Sequence, residues 1–399
     1  MPHSSIRRLF NAAKELESQG VDVFRLDIGD PDFDMPQRMH SAIRAALEGN
    51  QTHYSPMPGL PELRRAIAEY MNRRFGLPEE GVQWDQVVCN QGATQALNAC
   101  VQLTCDSGDF ALLPQVYFPN YMQQLCLAGV NPLFYPFNDD FRPQLAGLSG
   151  LYTDRLKMLL VNSPSNPTGR VIPADSIRAL YGFARDHGLW VVTDGAYLDY
   201  VFGGDYRSPL QVDWEYPAEE RRVLGVFSFS KSFAATGLRM GWTVCPNADI
   251  ARQLGLMNEP FTGSLTTPLQ YGMIAALQED DVVERREELQ RRRDFAVEIL
   301  RESGFDVPAP EGGIFFFIDI SSTGMDGDTF ADTLLAEEHV AVVPGSGFGL
   351  VPSARPDGPR YVPNKLAARC VRLCFAAPEQ RLTEGVHRMA AFIDRNRRA

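Results

Sequence analysis

From about residue 60 the chain alternates two textures. Pro61 to Phe75, Gly92 to Thr104 and Ala174 to His187 carry apolar positions at helical spacing. Between and after them come short apolar runs bounded by turn residues: Gln86 to Cys89, Phe110 to Leu113, Met158 to Val161, Leu189 to Thr193 and Val223 to Ser228. A strand covered on both faces has no polar side to show, so this rhythm predicts an α/β fold with a mainly parallel sheet between helices.

After about residue 280 the texture changes. Asp281 to Glu302 predicts one long charged helix, and a domain connection is expected there. Its arginines, Arg285, Arg286 and Arg291 to Arg293, alternate with Glu284, Glu287, Glu288 and Asp294, the pattern of a solvated face and not of a nucleic-acid patch. The remainder predicts a smaller α+β lobe with strands Ile314 to Ile320, Val340 to Val343 and Val371 to Phe375, then a helix from Glu379. Gly345, Gly347 and Gly349 follow a strand without a convincing helix start, so they make no nucleotide loop.

A chain of 399 residues exceeds one ordinary hydrophobic core, and two or more lobes are expected. The absence of repeats and low-complexity linkers means these lobes pack together. With 50 acidic against 38 basic residues the formal charge is −12, which argues against nucleic acid or anionic lipid as partner. Only Lys14, Lys157, Lys231 and Lys365 are lysines, so chemistry that needs a primary amine has four candidates. The seven cysteines are scattered without a C-x-x-C pair or a Cys/His cluster, so reduced thiols and no metal are expected. Residues 1–10 carry no secretory pattern, and no apolar run approaches the ~18 residues of a membrane span. A cytoplasmic location is the expectation.

The sharpest chemistry is in Ser228-Phe229-Ser230-Lys231-Ser232-Phe233, which runs on to Arg239 and Gly241. A lysine at a strand end among small hydroxyl residues can be held near a cofactor and condense with an aldehyde. Pyridoxal phosphate in such a Schiff base acts as an electron sink and makes three further demands. Its pyridine nitrogen needs a carboxylate, its phosphate needs backbone donors and a cation, and its ring needs a stacking partner. Asp194 ends an apolar strand, where ligands bind open parallel sheets, and Tyr197 follows three residues later. Gly92-Ala93-Thr94 open a helix whose amides can receive a phosphate. Ser228, Ser230 and Arg239 offer hydroxyls and a fixed charge.

Further segments extend the pattern: residues 26–33 (Leu-Asp-Ile-Gly-Asp-Pro-Asp-Phe), Tyr54 to Arg64, Gly92 to Leu97, Asn162 to Gly169, Asp194 to Tyr197, Ser228 to Gly241, Gly312 to Phe317 and Val371-Arg372-Leu373. In order and spacing, from about residue 26 to 376, the chain resembles the pyridoxal-phosphate-dependent aminotransferases of fold type I, class I/II, the aspartate aminotransferase superfamily. The resemblance implies a large cofactor domain over 45–285 with a seven-stranded, mainly parallel sheet, and a small domain from 1–44 and 286–399. It implies that Lys231 forms the Schiff base and shuttles the substrate α-proton. Asp194 would hold the pyridine nitrogen, Asn166 and Tyr197 the ring hydroxyl, and Phe118 the ring face, with Tyr117 as second choice. Gly92, Ala93, Thr94, Ser228, Ser230 and Arg239 would bind phosphate together with Tyr54 from a second subunit, making the active unit a homodimer. Arg372 would clamp the substrate α-carboxylate, assisted by Asn166 and the Gly29 backbone.

One departure stands out. Where the family commonly has Asp-Glu-x-Tyr, this chain has Asp194-Gly195-Ala196-Tyr197, which leaves the pyridine contact and alters the neighbourhood beside it. No second arginine for a side-chain carboxylate is assignable. Three functions compete: transfer of the α-amino group of an L-amino acid to a 2-oxo acid, another pyridoxal-phosphate reaction (β/γ-lyase, cyclase or oxidase), and a non-catalytic effector-binding regulator. The intact set of Lys231, Asp194 and Arg372 speaks against the third and serves the first two equally; amino transfer is the leading reading. Side-chain specificity is expected from the loops Pro31 to Pro36, Phe261 to Thr267 and Val351 to Tyr361.

Overall fold

The buried runs assemble into one seven-stranded sheet in the computed structural model, which describes residues 5–78, 80–278, 281–302, 307–353 and 361–396. Its strands are β1 (Val87–Asn90), β2 (Phe110–Pro114), β3 (Asn131–Tyr135), β4 (Leu156–Asn162), β5 (Trp190–Asp194), β6 (Val223–Ser228) and β7 (Gly241–Val244), in the order β1-β7-β6-β5-β4-β2-β3. Neighbours from β3 through β6 run parallel, and β7 lies antiparallel between β6 and β1. Every residue of β1, β6 and β7 is buried, as expected of strands with helices on both faces.

Two strands lack the apolar signature used to find the others. β3 is a half-buried edge strand that opens Asn131-Pro132, so no continuous apolar run marks it. β7 is four residues long and merges into the lysine segment that precedes it.

The carboxyl ends of β4, β5 and β6 lie side by side, with Asn162 in register with Asp194 and Asp194 with Val226. Because β7 reverses direction, β1 points the same way as β6. The helix that follows it (α1, Gly92–Thr104) therefore begins at the same edge of the sheet. The topology thus brings three separate sequence motifs to one crevice.

A second, antiparallel sheet has the order β9-β10-β8, from β8 (Phe315–Asp319), β9 (Val343–Pro344) and β10 (Cys370–Cys374). The single strand expected over Val340 to Val343 is two. Val340–Ala341 pairs in parallel with Phe24–Arg25, and after Val342 the chain joins β10 instead. All four residues are buried, so their hydrophobicity is continuous although their pairing partner changes.

The N-terminal helix Ser5–Ser18 packs Leu9 and Ala13 into the same core as Val340, Val386 and Ile393 of the C-terminal part. Tyr197 and Tyr200, which follow β5, reach that core from the large sheet. In the helix Asp281–Glu302, Arg291 pairs with Glu288 and Glu379, and Arg292 with Glu288 and Asp32, so the arginine run is neutralised by an acid of its own helix and by acids brought to it from elsewhere in the chain. Among the described residues no helix is long and apolar enough to cross a membrane.

Candidate active site

β6 ends at Ser228, whose hydroxyl accepts the Ser230 amide at 3.0 Å and turns the chain into the short helix Phe229–Ser232. Phe229 anchors this turn, its ring centroid 4.8 Å from Trp242 and 5.2 Å from Phe233. Lys231 is thereby aimed into a cavity of about 330 Å³ at the strand ends, where its Nζ donates to the Gly29 carbonyl at 2.5 Å. Burial brings its pKa down from 10.5 to about 8, against the smaller opposing effect of the Asp30 charge.

Two more buried charges line the cavity. Asp194, 6% exposed, accepts Tyr121 Oη at 2.6 Å and the Ala196 amide at 3.0 Å. Burial raises its pKa, and among the described residues it has no cationic partner. Arg372, 4% exposed, is on the central strand β10 of the second sheet. It donates to Asn166 Oδ1 at 3.0 Å and to the Asp27 carbonyl at 2.9 Å, with its guanidinium 4.0 Å from the Phe315 ring centroid. Its Nε is buried without a partner, and burial lowers its pKa. The Asp27 carboxylate is engaged by Arg25 at 2.8 and 2.9 Å and acts on Arg372 only as a more distant, weaker charge. The cavity therefore holds an uncompensated cation and an uncompensated anion around one lysine. Buried charges without counter-ions cost several kcal/mol each, which a ligand of complementary charge would recover.

The remaining wall is suited to an anion. Gly92 turns into α1 with φ +75°, and a Cβ there would lie 2.8 Å from Arg239 Nη2. A Cβ on Gly241 would sit 2.9 Å from the Ala93 amide nitrogen. These glycines let the helix N-terminus, with its unsatisfied N–H groups, close on the arginine. Ala93, Thr94, Ser228, Ser230 and Arg239 all line the cavity.

Of the residues singled out by sequence, the fold also brings Gly29, Phe118, Asn166 and Tyr197 to this cavity. Gly92 shapes the turn without lining it. Tyr117 faces elsewhere, stacked 5.7 Å from Phe134 with its hydroxyl on the Leu350 carbonyl, so Phe118 is the aromatic on offer. Tyr54 is 94% exposed beside Thr266 to Pro268, outside the cavity of its own chain. Of the expected specificity loop Val351 to Tyr361, residues 354–360 lie outside the described ones.

Sequence reasoning missed Tyr121, the hydroxyl on Asp194. Its spacing of three from Phe118 at a helix start was the available signal. It also missed Ile6 and Phe10, which the N-terminal helix contributes from far away in the chain.

The Gly195 departure has a packing cause. A Cβ at this position would lie 2.5 and 2.7 Å from the Phe227 ring, which stacks on Trp242 with centroids 5.7 Å apart. Phe227 fills the space where a side chain would start, so Gly195→Glu should destabilise the protein by about 1–3 kcal/mol through overpacking. Urea unfolding measures this, and adding Phe227→Ala should recover part of the loss; an unchanged midpoint for Gly195→Glu would contradict the packing account.

The chain as a whole is similar to known proteins. The model of the class I and II aminotransferases matches residues 21–389, and the chain belongs to that family. It is an enzyme that transfers an amino group from an amino acid to a 2-oxo acid. A probable aspartate/prephenate aminotransferase of Aquifex aeolicus is 34% identical over 390 residues, covering 94% of this chain and 92% of the relative. An arginine–pyruvate transaminase of Pseudomonas aeruginosa is 36% identical over 342 residues, 84% of each chain. The solved structure of aspartate aminotransferase from Thermus thermophilus with maleate superimposes with a TM-score of 0.87 at 32% identity, covering 98% of this chain and 97% of that one.

Proposed function

We propose that the cavity binds pyridoxal 5′-phosphate and that Lys231 is the residue through which this protein moves an α-amino group between an L-amino acid and a 2-oxo acid. The observation that carries the reading is the pair of uncompensated buried ions, Asp194 and Arg372, lining one cavity with Lys231. The cofactor's protonated pyridine nitrogen would match Asp194 and its phosphate the α1 N-terminus, Ser228, Ser230 and Arg239, while the carboxylate of the amino-acid substrate would match Arg372. Bound there, the cofactor supplies an electron sink for charge developing at the substrate α-carbon.

The chain's own residues do the rest. Arg372 and Asn166 hold the substrate carboxylate, which fixes the α-carbon in front of Lys231. Lys231 Nζ, whose pKa burial lowers to about 8, takes the α-proton as a general base suited to near-neutral pH. Tyr121 orients Asp194 through its hydroxyl. Phe118 covers the ring face, and Tyr197 and Asn166 meet the ring hydroxyl.

The same reading makes the active unit a homodimer in which Tyr54 completes the phosphate site of the partner subunit. Its support is the exposure of Tyr54 together with Leu127, Leu256 and Phe261, and the position of Arg239 at the exposed edge of the cavity. It divides the chain into a large domain over 45–285 and a small one from 1–44 and 286–399; most of the small domain's buried residues share one core, while Phe317, Val343 and Cys370 of the second sheet join a core of the large one. Seven free cysteines fit a reducing, cytoplasmic setting.

Absorption titration tests the reading. The purified protein reconstituted with cofactor should lose its visible band when an amino acid is added and regain it with a 2-oxo acid, without release of ammonia. Titration with individual amino acids ranks the donors. Ammonia released without an acceptor would move the assignment to a lyase or an oxidase.

A further inference from the structure

Asp199 follows Asp194 by five residues and is 3% exposed, yet it does not line the cavity. Its Oδ2 accepts Ser232 Oγ at 2.5 Å and Tyr70 Oη at 2.8 Å, and its Oδ1 accepts Arg74 Nε at 2.8 Å. Ser232 is the residue next to Lys231. From the same turn, Tyr200 Oη donates to the Lys231 carbonyl at 2.7 Å, and Arg285 Nη1 donates to the Ser232 carbonyl at 3.1 Å.

A helix as short as Phe229–Ser232 has little following turn to satisfy its last carbonyls, and besides the Ala234 amide, which donates to the Lys231 carbonyl at 3.2 Å, side chains do it: Tyr200, from the segment that follows β5, at Lys231, and Arg285 at Ser232. Residues 194–200 consequently face two ways: Asp194 and Tyr197 line the cavity, while Asp199 and Tyr200 hold the backbone that carries Lys231.

We propose that Asp199 is a positioning residue which, through its hydrogen bond to Ser232, fixes the main chain of Lys231 relative to Asp194. The inference rests on the aminotransferase reading. Lys231 has four rotatable side-chain bonds and must deliver its amine repeatedly to one place, so any drift of its Cα goes straight into the reacting distance. A displacement of about 1 Å can cost about 100-fold in rate. A hydroxyl bound to a carboxylate is a short, strong tether. A buried carboxylate is a poor choice for stability alone, since a well-packed apolar group often serves as well. What it adds here is a directional bond to the residue beside the lysine, with Arg74 and Tyr70 completing its shell.

The experiment uses full-length holoenzyme carrying Asp199→Asn, Ser232→Ala, both together, and Ser232→Thr. Each single change should lower kcat about 10-fold with KM within about 2-fold. It should also shift the pH midpoint of the cofactor–lysine absorbance by at least about half a unit, and shift likewise the pH dependence of Lys231 modification in cofactor-free protein. The double variant should be no worse than the poorer single one, and Ser232→Thr, which keeps the hydroxyl, should restore wild-type values. Wild-type kcat and pH midpoints in Asp199→Asn, whatever its melting temperature, would overturn the proposal, as would independent, multiplying effects. If Asp199→Asn does not fold, Ser232→Ala, which deletes one oxygen, decides by the same criteria. A wild-type protein that never forms the chromophore would sink the aminotransferase reading instead, and the two failures are thus distinct.

Discussion

Lys231→Ala should abolish the visible chromophore and reduce amino transfer by at least about 10⁴-fold, because in the proposed function one side chain both bonds the cofactor and moves the α-proton. None of the other three lysines can substitute: Lys14, Lys157 and Lys365 are absent from the cavity. Absorption spectroscopy of the reconstituted variant and a coupled assay with a 2-oxo acid acceptor measure the two losses, and an activity within 100-fold of wild type would contradict the assignment. The pH behaviour of the cofactor-free protein gives an independent reading. Burial lowers the Lys231 pKa to about 8 from its ordinary 10.5, so folded protein loses this proton at lower pH than unfolded chain. Between those values the unfolded state binds more protons, and this lysine makes stability rise as pH climbs from about 8 towards 10.5. Below about pH 8 both states are protonated and the folded state bears the whole cost of burying the charge. Comparing denaturant midpoints of wild type and Lys231→Ala across that window should show the slope contribution disappear in the variant.

The second large effect is expected at Arg372. Truncating one partner of a buried, hydrogen-bonded ion pair costs about 2–5 kcal/mol, so Arg372→Ala should lower kcat/KM for amino acids by about 30- to 5,000-fold. Arg372→Lys should not restore it. An ammonium cannot reproduce the planar fork that holds Asn166 and the Asp27 carbonyl while leaving Nε free, nor the stacking on Phe315. Pre-steady-state rates of the half-reaction with an amino acid measure the loss directly. Cofactor binding should be nearly unchanged, because the phosphate-binding wall is built by other residues; loss of the chromophore in Arg372→Lys would argue that this arginine belongs to the cofactor site.

Local signals carried much of this. Lys231 was visible because lysines are scarce in the chain and its neighbours are small hydroxyl residues. Asp194 was visible because it terminates an apolar strand, and Gly92-Ala93-Thr94 because a strand stops and a helix starts there. Val223–Ser228 has the bounds read from the sequence, but other strand ends were offset by one or two residues, since turn chemistry marks where a run stops but not where ladder bonds begin. Less local features did not show. Tyr121 looks like any helix aromatic until Asp194 is placed against it. Asp199 reads as a turn residue until the chain folds Ser232, Tyr70 and Arg74 around it.

The division has a physical basis. Periodicity, turn residues and strand-end motifs are properties of neighbouring positions, so the sequence alone determined the α/β architecture and pointed to Lys231 and a Schiff-base chemistry, while the resemblance to a known family pointed to Arg372 as the clamp for a carboxylate. Which charges remain without a counter-ion depends on groups remote in the chain meeting in a dry cavity. Arg372 could have paired with Asp27 had Arg25 not taken it, and Asp194 could have met a cation where Tyr121 now stands. Only the tertiary structure decided those pairings, because burial and counter-ion geometry arise from long-range packing that no window of sequence contains.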